Sequence, residues 1–168
     1  MASKYIYPIL IGIIPIITGS LVGYFGQSKE GKTWYEKLDK PSYIPPPIVF
    51  SIVWPILYVL FGLSMTLYLW KTTNIWRYPA FIIMIVFIFN MISNLLFTPL
   101  QFRYKSLEGA MIVCYLAFVS ALALLFLFYY LPLKQGYNRL SALFILPYVL
   151  WLALACVMST HLFVLNTR

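Results

Sequence analysis

The side chains of this sequence that could do chemistry in an apolar setting are aromatic rings and amides, not acids or bases. Trp54 and Tyr58 are four residues apart, and so are Trp151 and Ala155, with Ala153 between them. Asn90 and Asn94 repeat that spacing, and Phe97 follows three residues on. On a helix each set shares one face. Rings stack on flat, largely apolar molecules. An amide in hydrocarbon costs about 2–7 kcal/mol unless it is paired, so Asn90 and Asn94 must face the inside of a bundle. There they serve helix–helix hydrogen bonding, a polar ligand group, or both. The single histidine, His161, has no carboxylate or thiol at ligand spacing and reads as interfacial or hydrogen-bonded. Cys114 and Cys156 fall inside hydrophobic runs and read as small packing residues. No His/Cys/Asp/Glu cluster has metal spacing, and the chain has neither a Ser-His-Asp set nor a Gly-rich phosphate loop. Conventional hydrolysis, phosphoryl transfer and redox-metal chemistry are therefore not expected, and no cofactor is required.

The elements that position these residues follow from composition. The chain is 62% hydrophobic and 10% charged over 168 residues, where a soluble domain carries about 25% charged residues. Residues 5–28, 41–70, 78–102, 109–133 and 140–167 contain no Asp, Glu, Lys or Arg. Each run exceeds the roughly 20 residues a helix needs to cross a bilayer. The expected fold is all-α: an integral membrane bundle of five transmembrane helices in one domain, 1–168. The approximate spans are 5–25, 47–70, 78–102, 107–131 and 140–165, with a lid-like loop, 27–46, between the first two. The first run is expected to be a retained helix, not a signal peptide, because it is too long and lacks a clear cleavage site. Gly19 and Gly23 mark one of its faces for close helix packing, and Gly26–Lys32 reads as a polar turn. No carboxylate or lysine lies in the charge-free runs, which excludes the usual proton relay. The net charge of +8 is spread over all the loops, which fits lipid headgroups and argues against nucleic acid as a partner. Five spans put the two termini on opposite sides, with the lid on the side of Arg168. The location is a cell membrane in a prokaryote, and a mitochondrial outer or other organelle membrane in a eukaryote.

The stretch Trp34–Tyr58 organises the rest. It reads WYEKLDKPSYIPPPIVFSIVWPILY. Trp34, Tyr35 and Leu38 alternate with Glu36, Lys37, Asp39 and Lys40, and then Pro41 and Pro45-Pro46-Pro47 follow. Proline fixes its own φ and biases the preceding residue away from the helical region, so the segment is stiff. It suggests a lid carrying rings over the mouth of the bundle. Tyr35 and Pro45 would come from the lid, Trp54 and Tyr58 from the second span, and Asn94 and Phe97 from the third. Trp151 and Ala155 would come from the fifth, with Trp151 somewhat deeper than Trp54. Lys37 and Lys40 could meet acidic groups on a ligand's rim.

The string Trp34-Tyr35-x-x-Leu38-x-Lys40-Pro41-Ser42-x-x-Pro45-Pro46, with Trp54 and Tyr58 downstream, resembles the tryptophan-rich sensory protein/translocator protein family, formerly the peripheral benzodiazepine receptors. Asn90-x-x-x-Asn94-x-x-Phe97-x-Pro99-x-x-Phe102 is similar to its third helix and Leu146-Pro147-Tyr148-x-x-Trp151-x-Ala153 to its fifth. The resemblance implies a five-helix bundle, usually a homodimer, that binds protoporphyrin IX and related tetrapyrroles, and isoquinoline-carboxamide and benzodiazepine drugs. It implies drug-site roles for Tyr35, Pro45, Trp54, Asn94, Phe97, Trp151 and Ala155. It also implies light-dependent porphyrin breakdown, with Trp54 and Trp151 as the reactive pair. Lipid or sterol transport is a third reading. The animal sterol motif has no counterpart in Ser159–Val164, although Leu133–Arg139 fits a looser sterol pattern. The acid that many members carry in the fourth helix is Val113 here.

Overall fold

A computed structural model of the chain describes residues 3–70, 74–131 and 137–167, the side chains of Ser3 and Lys4 excepted. The loop residues Lys71–Thr73, most of the Leu133–Arg139 sterol pattern, and Arg168 lie outside the described residues. The described residues form six helices: α1 (Ser3–Phe25), α2 (Lys29–Glu36), α3 (Pro47–Tyr68), α4 (Ala80–Phe102), α5 (Leu107–Tyr130) and α6 (Asn138–Asn166). Five of them are long and apolar enough to cross a membrane, and the described residues contain no strand. The protein is a multi-pass, all-helical membrane bundle. Around its ring α1 packs on α3, α3 on α6, α6 on α5, α5 on α4, and α4 closes back on α1.

Local chemistry sets the helix ends. Pro46 and Pro47 open α3, where the missing N–H costs nothing. Ser106 caps α5, its hydroxyl accepting from the Gly109 N–H at 3.1 Å. Ser28 does the same for α2 through the Gly31 N–H at 2.9 Å. This cap corrects the expected polar turn at Gly26–Lys32. A helix begins at Lys29 and runs to Glu36, within the segment expected to be a lid-like loop. Gly31 and the shortage of apolar residues before Trp34 hid the first turn. Pro8, Pro15, Pro55, Pro99 and Pro147 all lie inside helices, which membrane helices tolerate.

The α1–α3 seam is built on glycine, though not on the expected pair. A Cβ added at Gly62 would overlap the Gly12 carbonyl oxygen, and one at Gly19 would overlap the Tyr58 ring. Gly23 faces open space. The working spacing is Gly12 to Gly19, two helical turns along one face, with the two backbones meeting at Gly12 and Gly62. In the half of the bundle away from α2, the core is closed by Phe61, Met65, Tyr68, Phe87 and Phe128, all at most 1% exposed.

Segment 27–46 lies across the opposite end, where α3 and α5 begin and α4 and α6 finish. The Ser28 hydroxyl donates to the Phe102 carbonyl at 3.1 Å, and Gly31 sits directly on that carbonyl. Tyr35 packs on Phe102, ring centroids 5.1 Å apart. Asn166, at the end of α6, exchanges two hydrogen bonds with the backbone of Asp39, at 2.9 and 3.0 Å. The Tyr43 hydroxyl meets the His161 Nδ1. Segment 27–46 is thereby anchored to α4 at its start and to α6 at its end.

Candidate functional site

The site is built upward from α4. Three of its interior positions carry amides. Asn90 is fully buried and fully engaged: its Nδ2 donates to the Ala117 carbonyl at 2.7 Å and to Ser120 Oγ at 2.9 Å, while its Oδ1 accepts from the Tyr148 hydroxyl at 3.0 Å. One turn nearer the covered end, Asn94 accepts from the Tyr58 hydroxyl at 2.8 Å. Both asparagines point inward, as the cost of a buried amide demanded. The third amide, Gln101, is buried with its Oε1 unpartnered among the described residues.

The rings gather on this frame. Trp54 stacks on Tyr58 at 5.5 Å and meets Tyr148 edge-on at 6.4 Å. Tyr58 rests against Gly19 of α1, and no larger residue there would leave room for its ring. Trp151 meets Phe50 edge-on at 5.8 Å. Its indole N–H is buried with no partner among the described residues. A second cluster contains Cys114, Ala155, Cys156 and Met158, with Ile44, Phe50, Phe97 and Phe118 packed against it. Ile44 is the residue of segment 27–46 that enters this cluster. The two cysteines are free thiols, their sulfurs 3.6 Å apart.

Most of the residues expected at the site therefore lie on one connected surface. Trp54, Tyr58 and Asn94 form one wall. Phe97 and Ala155 form the other, joined to Trp151 through Phe50. Trp151 is not deeper than Trp54. Phe50 is one turn nearer the covered end than Trp54, and Trp151 contacts it because α6 is 29 residues long and reaches past the other helices to Asp39. Pro45 is half-buried beside Ile44. Tyr35 lies further out, against Phe102, where burial raises its hydroxyl pKa. The two lysines lie on the outer side of segment 27–46 with Tyr35 and Trp34. Lys40 lies 4.7 Å over the Tyr35 ring and donates to the Glu36 carbonyl at 3.0 Å. Lys37 lines a shallow outer groove with Lys29, Glu30, Thr33, Trp34 and Lys105.

Four contributors were not singled out from sequence. Ile44 is one apolar residue between a tyrosine and prolines, and Phe50 sits in an unbroken apolar run. Tyr148 carries the polar end that a buried ring must satisfy. Gln101 continues the Asn90–Asn94 face by seven residues, a spacing that could have been read.

Comparison with known sequences gives the family of the chain. Residues 11–165 fit the model of the TspO/MBR family. The chain belongs to this family. Tryptophan-rich protein TspO of Bacillus cereus is 31% identical over 80% of this chain and 82% of its own length. Protein CrtK of Rhodobacter capsulatus is 29% identical over 79% of this chain and 78% of its own. The human translocator protein is 27% identical over 84% of this chain and 79% of its own. This TspO/MBR protein offers a potential ligand flat aromatic faces and a few hydrogen-bonding groups. Among the described residues, no cluster of three or more His, Cys, Asp or Glu side chains could hold a metal ion.

Proposed function

We propose that the protein binds protoporphyrin IX or a related tetrapyrrole in the ring-lined site beneath segment 27–46, as a translocator or sensor. The observation that carries this reading is the gathering of rings at the covered end: Trp54 stacks on Tyr58, whose hydroxyl donates to Asn94, and Phe50 meets Trp151 and packs with Phe97 against one cluster. Flat apolar walls suit a planar macrocycle. Binding requires segment 27–46 to withdraw Ile44, so the segment acts as a lid. Membrane lipid, isoquinoline-carboxamide or benzodiazepine-type drugs and a second copy of the chain are further partners on this reading. Lipid or sterol transport remains a separate alternative, one that would need no planar site.

The second reading is light-dependent porphyrin breakdown, favoured by the position of both indoles. Trp54 is stacked on Tyr58, and the Trp151 N–H has no partner among the described residues. Both indoles are more easily oxidised than phenyl rings. Fluorescence titration with protoporphyrin IX in detergent, followed by illumination, tests the two readings together. The double variant Trp54→Phe/Trp151→Phe keeps stackable rings. It is expected to retain substantial binding and to lose most light-dependent porphyrin loss. Absence of binding by the wild type would overturn the first reading. Equal loss in wild type and variant would assign the reaction to porphyrin free in micelles and overturn the second.

A further inference from the structure

Gln101 Oε1 stands apart from the hydrogen bonding of the described residues. Its residue is 4% exposed, and its Oε1 has no partner among the described residues. A buried acceptor without a donor costs about 1–3 kcal/mol, so it needs a reason. Helical geometry gives the direction. Eleven residues separate Gln101 from Asn90, which is three full turns plus about 20° at 100° per residue. Gln101 therefore falls between Asn94 and Phe97 on the α4 face that the site uses, one turn nearer the covered end than Phe97. Asn94 on that face reaches Tyr58, and Phe97 packs against the cluster that Ile44 enters.

We propose that Gln101 is a second polar anchor of the site and that it selects ligands carrying a neutral carboxylic acid or carboxamide group. The inference rests on the porphyrin reading above and adds which form of the ligand's side-chain acid is accepted. A primary amide and a neutral acid or amide form a paired contact. The ligand O–H or N–H donates to Oε1, while Gln101 Nε2–H donates to the ligand carbonyl. An ester has the carbonyl but no hydrogen to give. A carboxylate also has none, and it brings negative charge against Oε1. The apolar surroundings favour the neutral form of an acid as well.

The test uses the full chain in detergent with two probes that do not ionise at the side chains: the dimethyl ester of protoporphyrin IX and its bis-carboxamide. They share the macrocycle and differ in the hydrogen they can donate. The wild type is expected to bind the bis-carboxamide about 10-fold more tightly than the ester. Gln101→Leu should lose most of that preference, weakening amide binding about 10-fold more than ester binding, because the ester loses only the contact to its carbonyl. An equal preference in wild type and variant would overturn the assignment and leave the porphyrin reading intact. Binding of neither probe by the wild type would overturn both. Thermal unfolding without ligand gives an independent readout. Gln101→Leu should melt at the same temperature as wild type or higher, because it removes an unpaired polar group. A clear drop would mean that the amide is a structural element, and the proposal would fail.

Discussion

The two ends of the bundle solve the same problem in opposite ways. Away from α2, large side chains fill the interior completely: Phe61, Met65, Tyr68, Phe87 and Phe128 are at most 1% exposed. At mid-bundle, Asn90 has three partners. At the covered end the rings of Phe50, Trp54, Phe97 and Trp151 are only half-buried, and both buried side-chain atoms without a partner among the described residues, Gln101 Oε1 and Trp151 Nε1, are found there. The closing residue there, Ile44, comes from a connecting segment instead of a span. One end is packed for stability. The other leaves half-buried ring surface and two buried polar atoms without a partner among the described residues.

The largest effect should come from breaking the closed side. Gly12 and Gly62 bring two backbones into contact, so any side chain at Gly62 forces α1 and α3 apart. Gly62→Ala is expected to cost about 3 kcal/mol, read as a lower midpoint in a detergent unfolding titration. The same change at Gly23, which faces open space, should be close to neutral. Similar losses at the two positions would mean that the seam is not built on Gly12 and Gly62.

The next effect compares two amides on one helix face. Asn90→Leu takes the acceptor from the buried Tyr148 hydroxyl and a donor from the Ala117 carbonyl, while the Ser120 hydroxyl keeps its own backbone acceptors. It should lower stability by about 2 kcal/mol, in contrast to the neutral or stabilising Gln101→Leu. If the two substitutions moved the unfolding midpoint in the same direction, the division between a satisfied middle and an unsatisfied mouth would not hold.

How far these features could be read in the sequence depends on the range of the interaction behind them. The five spans were legible because charge is excluded from hydrocarbon, and that rule acts on each residue separately. Asn90 and Asn94 were legible for the same reason. The ring pair Trp54–Tyr58 follows from helical spacing, and the structure shows them stacked. What could not be read depends on pairs of distant residues. That Gly12 rather than Gly23 works with Gly19 is set by where α3 brings Gly62 and Tyr58. The depth of Trp151 depends on how far α6 overshoots its neighbours. The first turn of α2 was hidden because Ser28 and Gly31 act through the Phe102 carbonyl, 74 residues from Ser28. Lys40 looked free to meet a ligand, but folding places it over the Tyr35 ring and on the end of α2.

The smallest effect concerns the contacts that tie segment 27–46 to α6. Asn166 exchanges two hydrogen bonds with the backbone of Asp39, and the Tyr43 hydroxyl meets His161. Both contacts lie at the exposed rim, where each hydrogen bond contributes about 0.5–1.5 kcal/mol. Neither residue touches the rings. Asn166→Ala combined with Tyr43→Phe should leave the unfolding midpoint nearly unchanged, because the packed half of the bundle sets it. These contacts should instead appear in kinetics. If segment 27–46 must lift Ile44 out before a porphyrin can enter or leave, loosening its α6 anchor lowers the barrier in both directions. Association and dissociation of protoporphyrin IX, followed by stopped-flow fluorescence, should both speed up several-fold, with a much smaller change in their ratio. Faster dissociation alone would mean that these contacts hold the bound ligand directly. Unchanged rates in both directions would mean that ligand reaches the rings from between the spans, with segment 27–46 a fixed cap and not a lid.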